Sequence, residues 1–237
     1  MTEPPRKLTF GLTWQRRRVD AQVGFAYRIG NAIGEPGVRT TLRIIGKASS
    51  INVRKVLWAC DELCIAFERS DDGPERRYNP NGLVPVIVDG DFVLWESNTI
   101  LRYLAGRHGE ALLPREPRTR ATIEKWMDWQ ATEFNSAWRY AFMALVRKDP
   151  VFDDVRQIEA SKQEWARMVG ILDEQLTATG AFVAGADFTL ADIPIGLAVN
   201  RWFMTSMRRP SFQAVETYYE RLSERPAFMA HGRNGIE

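Results

Sequence analysis

Residues 79–105 read NPNGLVPVIVDGDFVLWESNTILRYLA, and this stretch decides the fold. Residues 85–88 and 92–95 are two short apolar and β-branched runs around Asp89-Gly90-Asp91, a hairpin turn signal. Pro85 opens the first run, a place where a strand tolerates a residue without a backbone N–H. Glu96 and Ser97 then open a helix over 97–108, whose apolar residues recur every three or four positions. The segment therefore predicts strand, strand, helix.

Upstream, residues 41–46 (TLRIIG) predict another strand, followed by a polar turn over 47–50. Val53, Val56, Leu57, Cys60, Leu63 and Cys64 mark one apolar helix face, and 65–68 predict a second strand. Residues 70–80 are polar and turn-rich. The order is β-α-β, then β-β-α, the arrangement of a thioredoxin-like domain over 41–112. Residues 113–117 are a linker ending in proline. Beyond it, helices are predicted over 118–147, 153–177, 189–203 and 211–224, the third mostly apolar and so buried. Residues 118–237 thus form an all-helical domain, giving an α/β half packed on an all-α half. In FTLADI (188–193) a capping box is expected. Thr189 Oγ1 accepts from the Asp192 amide, the Asp192 carboxylate reaches back to the Thr189 amide, and Phe188 staples onto Ile193.

Composition narrows the function classes. The chain has 237 residues, 45% hydrophobic and 26% charged, with a net charge of +2 that gives no case for a nucleic-acid partner. No apolar run approaches the ~18 residues that would suggest a membrane span. The two cysteines make no disulfide framework and fit a reducing cytoplasm. Cys60 and Cys64, four apart inside a helix, are not a redox pair and are read as buried hydrophobes. His108 and His231 have no clustered ligands, so both are expected to face solvent and no metal site is expected. Residues 1–40 carry Pro4, Pro5 and Pro36, several glycines and the cluster Arg16-Arg17-Arg18, without a secretory apolar core. They are expected to be a poorly ordered extension; initiation near Val38, or a targeting or partner-binding arm, are the other readings.

From residue 41 onward the chain resembles the glutathione transferase superfamily, especially bacterial members. The resemblance rests on SINVRKVLW (50–58), NPNGLVPVI (79–87), LWESNTILRYLA (94–105), EKWMDWQ (124–130), LVRKDP (145–150), FTLADIPIG (188–196) and ERLSERPAF (220–228). Each motif alone is weak; their order and spacing together are specific. The resemblance implies an enzyme that conjugates glutathione, its co-substrate, to a small electrophile. It also implies a cytoplasmic homodimer with a role in detoxification.

The chemistry sets what such a site needs. A thiol of reference pKa about 8.5 is only a few per cent thiolate at neutral pH. A hydrogen-bond donor aimed at the sulfur stabilises the anion at about 1.36 kcal/mol per pKa unit. By resemblance, Ser50 matches the active-site serine of serine-type members and Asn52 the asparagine of some bacterial classes, so either is a candidate donor. Both are also ordinary helix caps. Val84-Pro85 matches the family's cis peptide, whose Val84 amide and carbonyl pair with the cysteinyl unit of glutathione. Ser97 matches the residue binding the γ-glutamyl carboxylate at a helix N-terminus, with Glu96 positioning that end. Trp138, Arg139, Tyr140 and Phe142 are candidates for the second-substrate pocket, the aromatics for a flat electrophile and Arg139 for an anionic one; core packing is the competing reading. Trp126 and Trp129 are expected in the core.

One departure stands out. Between the second strand and NPNG the chain has only ERSDDGPERRY (68–78), where relatives carry a helix and a partner for the glycine carboxylate. Arg76 or Arg77 is the candidate substitute. The shortening leaves two alternatives open: a transferase-like binding module without turnover, or a glutathione-dependent peroxidase or disulfide reductase.

Overall fold

The computed structural model describes residues 15–16 and 41–236; the reading of residues 1–40 as an extension otherwise lies outside the described residues. Five strands form one mixed sheet, in the order β1-β3-β2-β4-β5. They are β1 (Gln15–Arg16), β2 (Leu42–Ile45), β3 (Phe67–Ser70), β4 (Val86–Asp89) and β5 (Phe92–Trp95). β2 and β3 run parallel with Ile44 opposite Arg69, joined by helix α1 (Ile51–Glu62), while β4 lies antiparallel to β2 with Ile44 opposite Ile87. β4 and β5 form the expected hairpin, Asp89 paired with Phe92 and Gly90 at φ +66° in the turn. Helix α2 (Ser97–His108) follows with the expected bounds. This is the thioredoxin-like arrangement, followed by a helical half.

The strand expected over 65–68 begins two residues later because α1 ends in a Schellman turn. Ile65 N donates to Cys60 O at 2.8 Å and Cys64 N to Asp61 O at 3.2 Å, so these residues close the helix rather than enter the sheet. Cys64 sits at φ +53° and is exposed, which corrects its reading as buried; Cys60 is fully buried as expected.

The rod expected over 118–147 is helical throughout but not uniform. Helix α3 (Pro117–Trp129) is capped by the Glu116 carboxylate, which accepts from Arg118 N at 3.0 Å and Thr119 N at 2.7 Å. A π-helical turn (Gln130–Phe134) joins it to α4 (Asn135–Phe142), and a second π turn (Met143–Arg147) ends the rod at Lys148, φ +52°. Then come α5 (Val155–Thr179), α6 (Asp192–Met204), α7 (Gln213–Ser223) and α8 (Pro226–His231). α8 was not expected; it buries Phe228, which packs on Trp58 at 5.0 Å. Among the described residues no helix is long and apolar enough to cross a membrane.

The halves share one core. Trp58 of α1 is fully buried and reaches Phe188 and Phe228 of the helical half. Glu62 receives Arg225 at 2.9 and 2.6 Å, and Arg225 in turn lies 3.8 Å above the Phe188 ring. Buried Arg54 donates to Ile236 O at 2.8 Å, tying the C-terminal tail to α1. His231 is buried with Nε2 2.6 Å from Asp61 Oδ2, which corrects its reading as solvent-facing; His108 is exposed as expected. Trp126 is in the core, whereas Trp129 is half-buried beside it.

The capping box over 188–193 forms only in part. The Thr189 amide and hydroxyl both donate to Asp192 Oδ2, at 2.7 and 3.0 Å, while the Asp192 amide bonds to the Thr189 carbonyl rather than to the hydroxyl. Phe188 stacks toward Trp58 and Phe182. On α6, Gly196 is the seam between the halves: a Cβ there would stand 2.7 Å from Leu222 Cδ1 and 2.9 Å from the Trp58 ring. Gly196→Ala is expected to cost about 1–3 kcal/mol by overpacking, read as a lower urea midpoint at an unchanged slope.

Candidate functional site

The site is built where β2 turns into α1. Gly46, at φ +145°, lets that turn press on the loop before β4: a Cβ would meet Val53 Cγ2 at 2.6 Å and Val84 Cβ at 2.9 Å. Ser50 is the N-cap of α1 in an extended conformation, and its carbonyl accepts from Arg54 N at 2.9 Å. Its hydroxyl makes no capping bond, so it is available to a ligand while the backbone still caps the helix. Serine at a helix N-terminus also lies where the helix dipole favours an anion.

Asn52 occupies the first turn of α1 and is exposed. Its Oδ1 accepts from Ser97 Oγ at 3.3 Å, which draws the side chain toward the start of α2. Val84 is half-buried, with a cis bond to buried Pro85 as the resemblance implied. The loop before it is held by Asn79, a residue the sequence reading quoted but gave no role. Asn79 Nδ2 donates to Leu83 O at 2.8 Å and its Oδ1 accepts from Asn81 N at 3.0 Å.

Ser97 is the first residue of α2 and is buried; Glu96, the preceding cap residue, is exposed. Glu96 has φ +71° and ψ 108°, a conformation that a residue with a Cβ adopts at a cost of order 1–3 kcal/mol. Such strain persists only where the surrounding structure holds the residue in place. Glu96→Gly is expected to stabilise the fold by about 1 kcal/mol while weakening glutathione binding, as read by thermal unfolding and calorimetry on the same sample.

Beneath this end lies Lys55. Its Nζ donates to Gln130 Oε1 at 3.0 Å and to Asn98 Oδ1 at 3.4 Å, joining α1, α2 and the first π turn. Burial lowers its pKa to about 7; the nearby Arg201 charge adds to this and Glu96 opposes it.

These elements enclose a cleft of about 460 Å³ between the halves. Ser50, Ile51, Lys47 and Val84 line the sheet side, residues 71–74 one end, and Arg147 and Arg201 the helical side. Of the residues expected from sequence, Ser50 and Val84 face this cleft. Asn52, Glu96 and Ser97 gather at the α2 terminus. The four second-substrate candidates do not line it. Trp138 and Phe142 are buried in the core under Arg201, Arg139 is exposed on α4, and the Tyr140 hydroxyl accepts from Asp154 N while its ring packs on Phe152. Arg76 and Arg77 are also exposed, with Arg77 paired to Glu75 at 2.9 Å, and neither lines the cleft. The sequence reading missed Arg147 and Arg201. Their signals were an arginine in the LVRKDP motif and the one basic residue of the mostly apolar α6.

Residues 44–112 match the family profile described as glutathione S-transferase, N-terminal domain. The chain is 37% identical over 197 residues to glutathione S-transferase GstB of Escherichia coli strain K12, covering 77% of this chain and 93% of that protein. It is 31% identical over 209 residues to glutathione S-transferase 3 of Zea mays, covering 79% and 91%. The crystal structure of the theta class glutathione S-transferase of Xanthomonas axonopodis pv. citri with glutathione bound superposes with a TM-score of 0.77 at 33% identity. That superposition covers 83% of this chain and 99% of that one.

Proposed function

The chain belongs to the glutathione S-transferase superfamily and is an enzyme of that family; on that premise we propose that it conjugates glutathione to a small electrophile through a thiolate held at Ser50. The single observation that supports the thiolate role is that Ser50 lines the cleft at a helix N-terminus and its hydroxyl makes no capping bond. Val84 presents its amide and carbonyl to the cysteinyl unit. Ser97, with the α2 amides and Glu96, takes the γ-glutamyl end, and Asn52 supports Ser97 through the 3.3 Å bond.

In the reaction the thiol proton leaves to solvent as glutathione binds. The thiolate then attacks a carbon bearing a leaving group: the C–S bond forms, the bond to the leaving group breaks, and that group departs with the electron pair. The protein supplies proximity and charge stabilisation and forms no covalent bond. In this reading Lys47, which lines the sheet side of the cleft, takes the glycine carboxylate where the segment between β3 and β4 is short. The same reading makes the working form a cytoplasmic homodimer acting in detoxification.

Calorimetric titration with glutathione and with S-hexylglutathione tests binding, and a spectrophotometric assay with an aryl or alkyl halide tests transfer. Micromolar-to-millimolar binding together with halide turnover is the expected result. Binding with turnover of hydroperoxides alone would replace transfer with peroxide reduction. Absence of binding by both ligands would end the enzymatic proposal.

A further inference from the structure

Lys55 is a lysine where an ammonium is costly. The residue is 4% exposed, and its Nζ donates to two neutral amides, Gln130 Oε1 at 3.0 Å and Asn98 Oδ1 at 3.4 Å. Among the described residues it forms no ion pair. A buried ammonium without a carboxylate beside it is among the least favourable burials in a protein, and an apolar side chain of the same length would fill the space without that cost.

The contacts around it are arranged toward the first turn of α2. Asn98 is the second residue of α2, next to Ser97. Its Nδ2 donates to Met127 O at 2.9 Å, which fixes the amide with Oδ1 toward the lysine. Gln130 is buried and opens the π turn between α3 and α4, a kind of turn often found at functional sites. Asn52 and Lys55 stand three residues apart on one face of α1, and Asn52 accepts from Ser97 Oγ while Lys55 donates to Asn98. One face of α1 thus holds two successive residues at the start of α2.

The charges that act on Lys55 are few. Arg201 of α6 disfavours its ammonium and Glu96, just before α2, favours it; burial outweighs both and brings the pKa to about 7. The titratable group of α8, His231, is bonded to Asp61 instead. One added negative charge near the α2 terminus is therefore enough to favour the protonated form near neutral pH.

We propose that Lys55 is a positioning residue for glutathione and the buried counter-charge to its γ-glutamyl carboxylate: the ligand carboxylate at the first turn of α2 draws a proton from water onto Lys55, and the ammonium then holds Asn98 and the α2 terminus in the bound arrangement. This rests on the transferase reading and deepens its glutathione site. One proton passes from solvent to the amine, and no covalent bond between ligand and protein forms or breaks. The sign follows from linkage. A group whose pKa rises on binding favours the ligand in its protonated form, so affinity is full below pH about 7 and falls as pH rises through that value, by at most about tenfold per unit.

The test is calorimetry of the full chain with S-hexylglutathione, which has no ionisable thiol, in buffers of different ionisation enthalpy. At pH of about 7.5 the wild type is expected to take up roughly half a proton per site, and its Kd to rise about 3- to 10-fold between pH of about 6 and about 8. In Lys55→Met the uptake should vanish and the Kd should be higher and flat with pH. Lys55→Arg, which keeps a charge that does not titrate, should recover affinity over Lys55→Met without any uptake. A lysine that only joined helices would weaken binding in Lys55→Met with no proton signal in the wild type. Absence of uptake by the wild type, or uptake that persists in Lys55→Met, would overturn the proposal and leave the transferase reading standing. Failure of both S-hexylglutathione and glutathione to bind would remove both readings at once. The wild-type measurement keeps the proposal open to refutation even if the variants fail to fold.

Discussion

Ser50→Ala is expected to lower kcat/KM about 10- to 100-fold at pH 6.5, and to move the pH profile of the reaction upward by one to two units. The reason is the size of a single charge-assisted hydrogen bond. A donor to an anion contributes roughly 1.5–3 kcal/mol, and each pKa unit corresponds to about 1.36 kcal/mol. Removing the hydroxyl leaves the backbone cap of α1 in place, because the cap bond from Arg54 N is to the Ser50 carbonyl. The helix should therefore survive, and the loss should appear in the chemistry. Raising the pH above the new thiol pKa should close much of the gap with the wild type, whereas a merely structural loss would persist at every pH. Asn52→Ala provides the contrast. Its side chain is tied to Ser97, so the expected change is a higher KM for glutathione with the pH profile in place. If Asn52→Ala moves the profile and Ser50→Ala does not, the two residues exchange roles.

The second large effect is on stability. Asp192 is fully buried, and its carboxylate accepts from Val183 N at 3.0 Å, Thr189 N at 2.7 Å, Thr189 Oγ1 at 3.0 Å and the Tyr218 hydroxyl at 3.0 Å. Asp192→Ala strands two backbone amides and the Thr189 hydroxyl, and leaves the buried Tyr218 hydroxyl only the longer bond to the residue-192 carbonyl at 3.4 Å. It is expected to cost about 3–5 kcal/mol, against a typical total of about 5–15 kcal/mol. Urea denaturation of the variant at neutral pH would show a sharply lower midpoint or no folded baseline.

The same residue makes a pH prediction. Burial pushes the Asp192 carboxyl up to about 6, with its hydrogen bonds working in the opposite direction. A carboxyl raised above its unfolded value of about 3.9 holds its proton longer in the folded state. Its contribution to stability is then fully present below pH of about 4 and is lost as pH rises through about 6. Asp192→Asn removes that dependence. The stability difference between wild type and Asp192→Asn should therefore shrink as pH rises from 4 to above 6, measured by urea midpoints at each pH. A difference that stays flat or widens across that window would show that burial does not dominate this group.

How much of this was legible in the chain differs from residue to residue. The hairpin and α2 were readable because their signals are local: Gly90 in the turn, apolar and β-branched runs on both flanks, and Ser97 at a helix start. The cis Val84-Pro85 bond was available only through resemblance, since most X-Pro bonds are trans. The start of β3 was misread because Ile65 reads as a strand residue, yet its amide closes α1. Cys64 was misread because helical periodicity carried the apolar face two residues past the true helix end. The second-substrate candidates on α4 were chosen for chemistry and position in sequence. Two of them, Trp138 and Phe142, turned out to be the bed on which Arg201 rests.

The sequence by itself determined the thioredoxin-like order, the helical half, the family, and the segments that line the sheet side of the candidate site. Those features depend on short-range patterns of turn residues, helix caps and apolar spacing, which the chain carries within a few residues of one another. Only the tertiary structure decided that Ser50 faces the cleft while Asn52 turns to Ser97, that Asp192 is a buried hub, and that Arg147 and Arg201 meet across from Ser50. Each of these depends on where helices remote in sequence come to rest on one another. That is set by packing of the shared core around Trp58 and Gly196, and no local pattern encodes it.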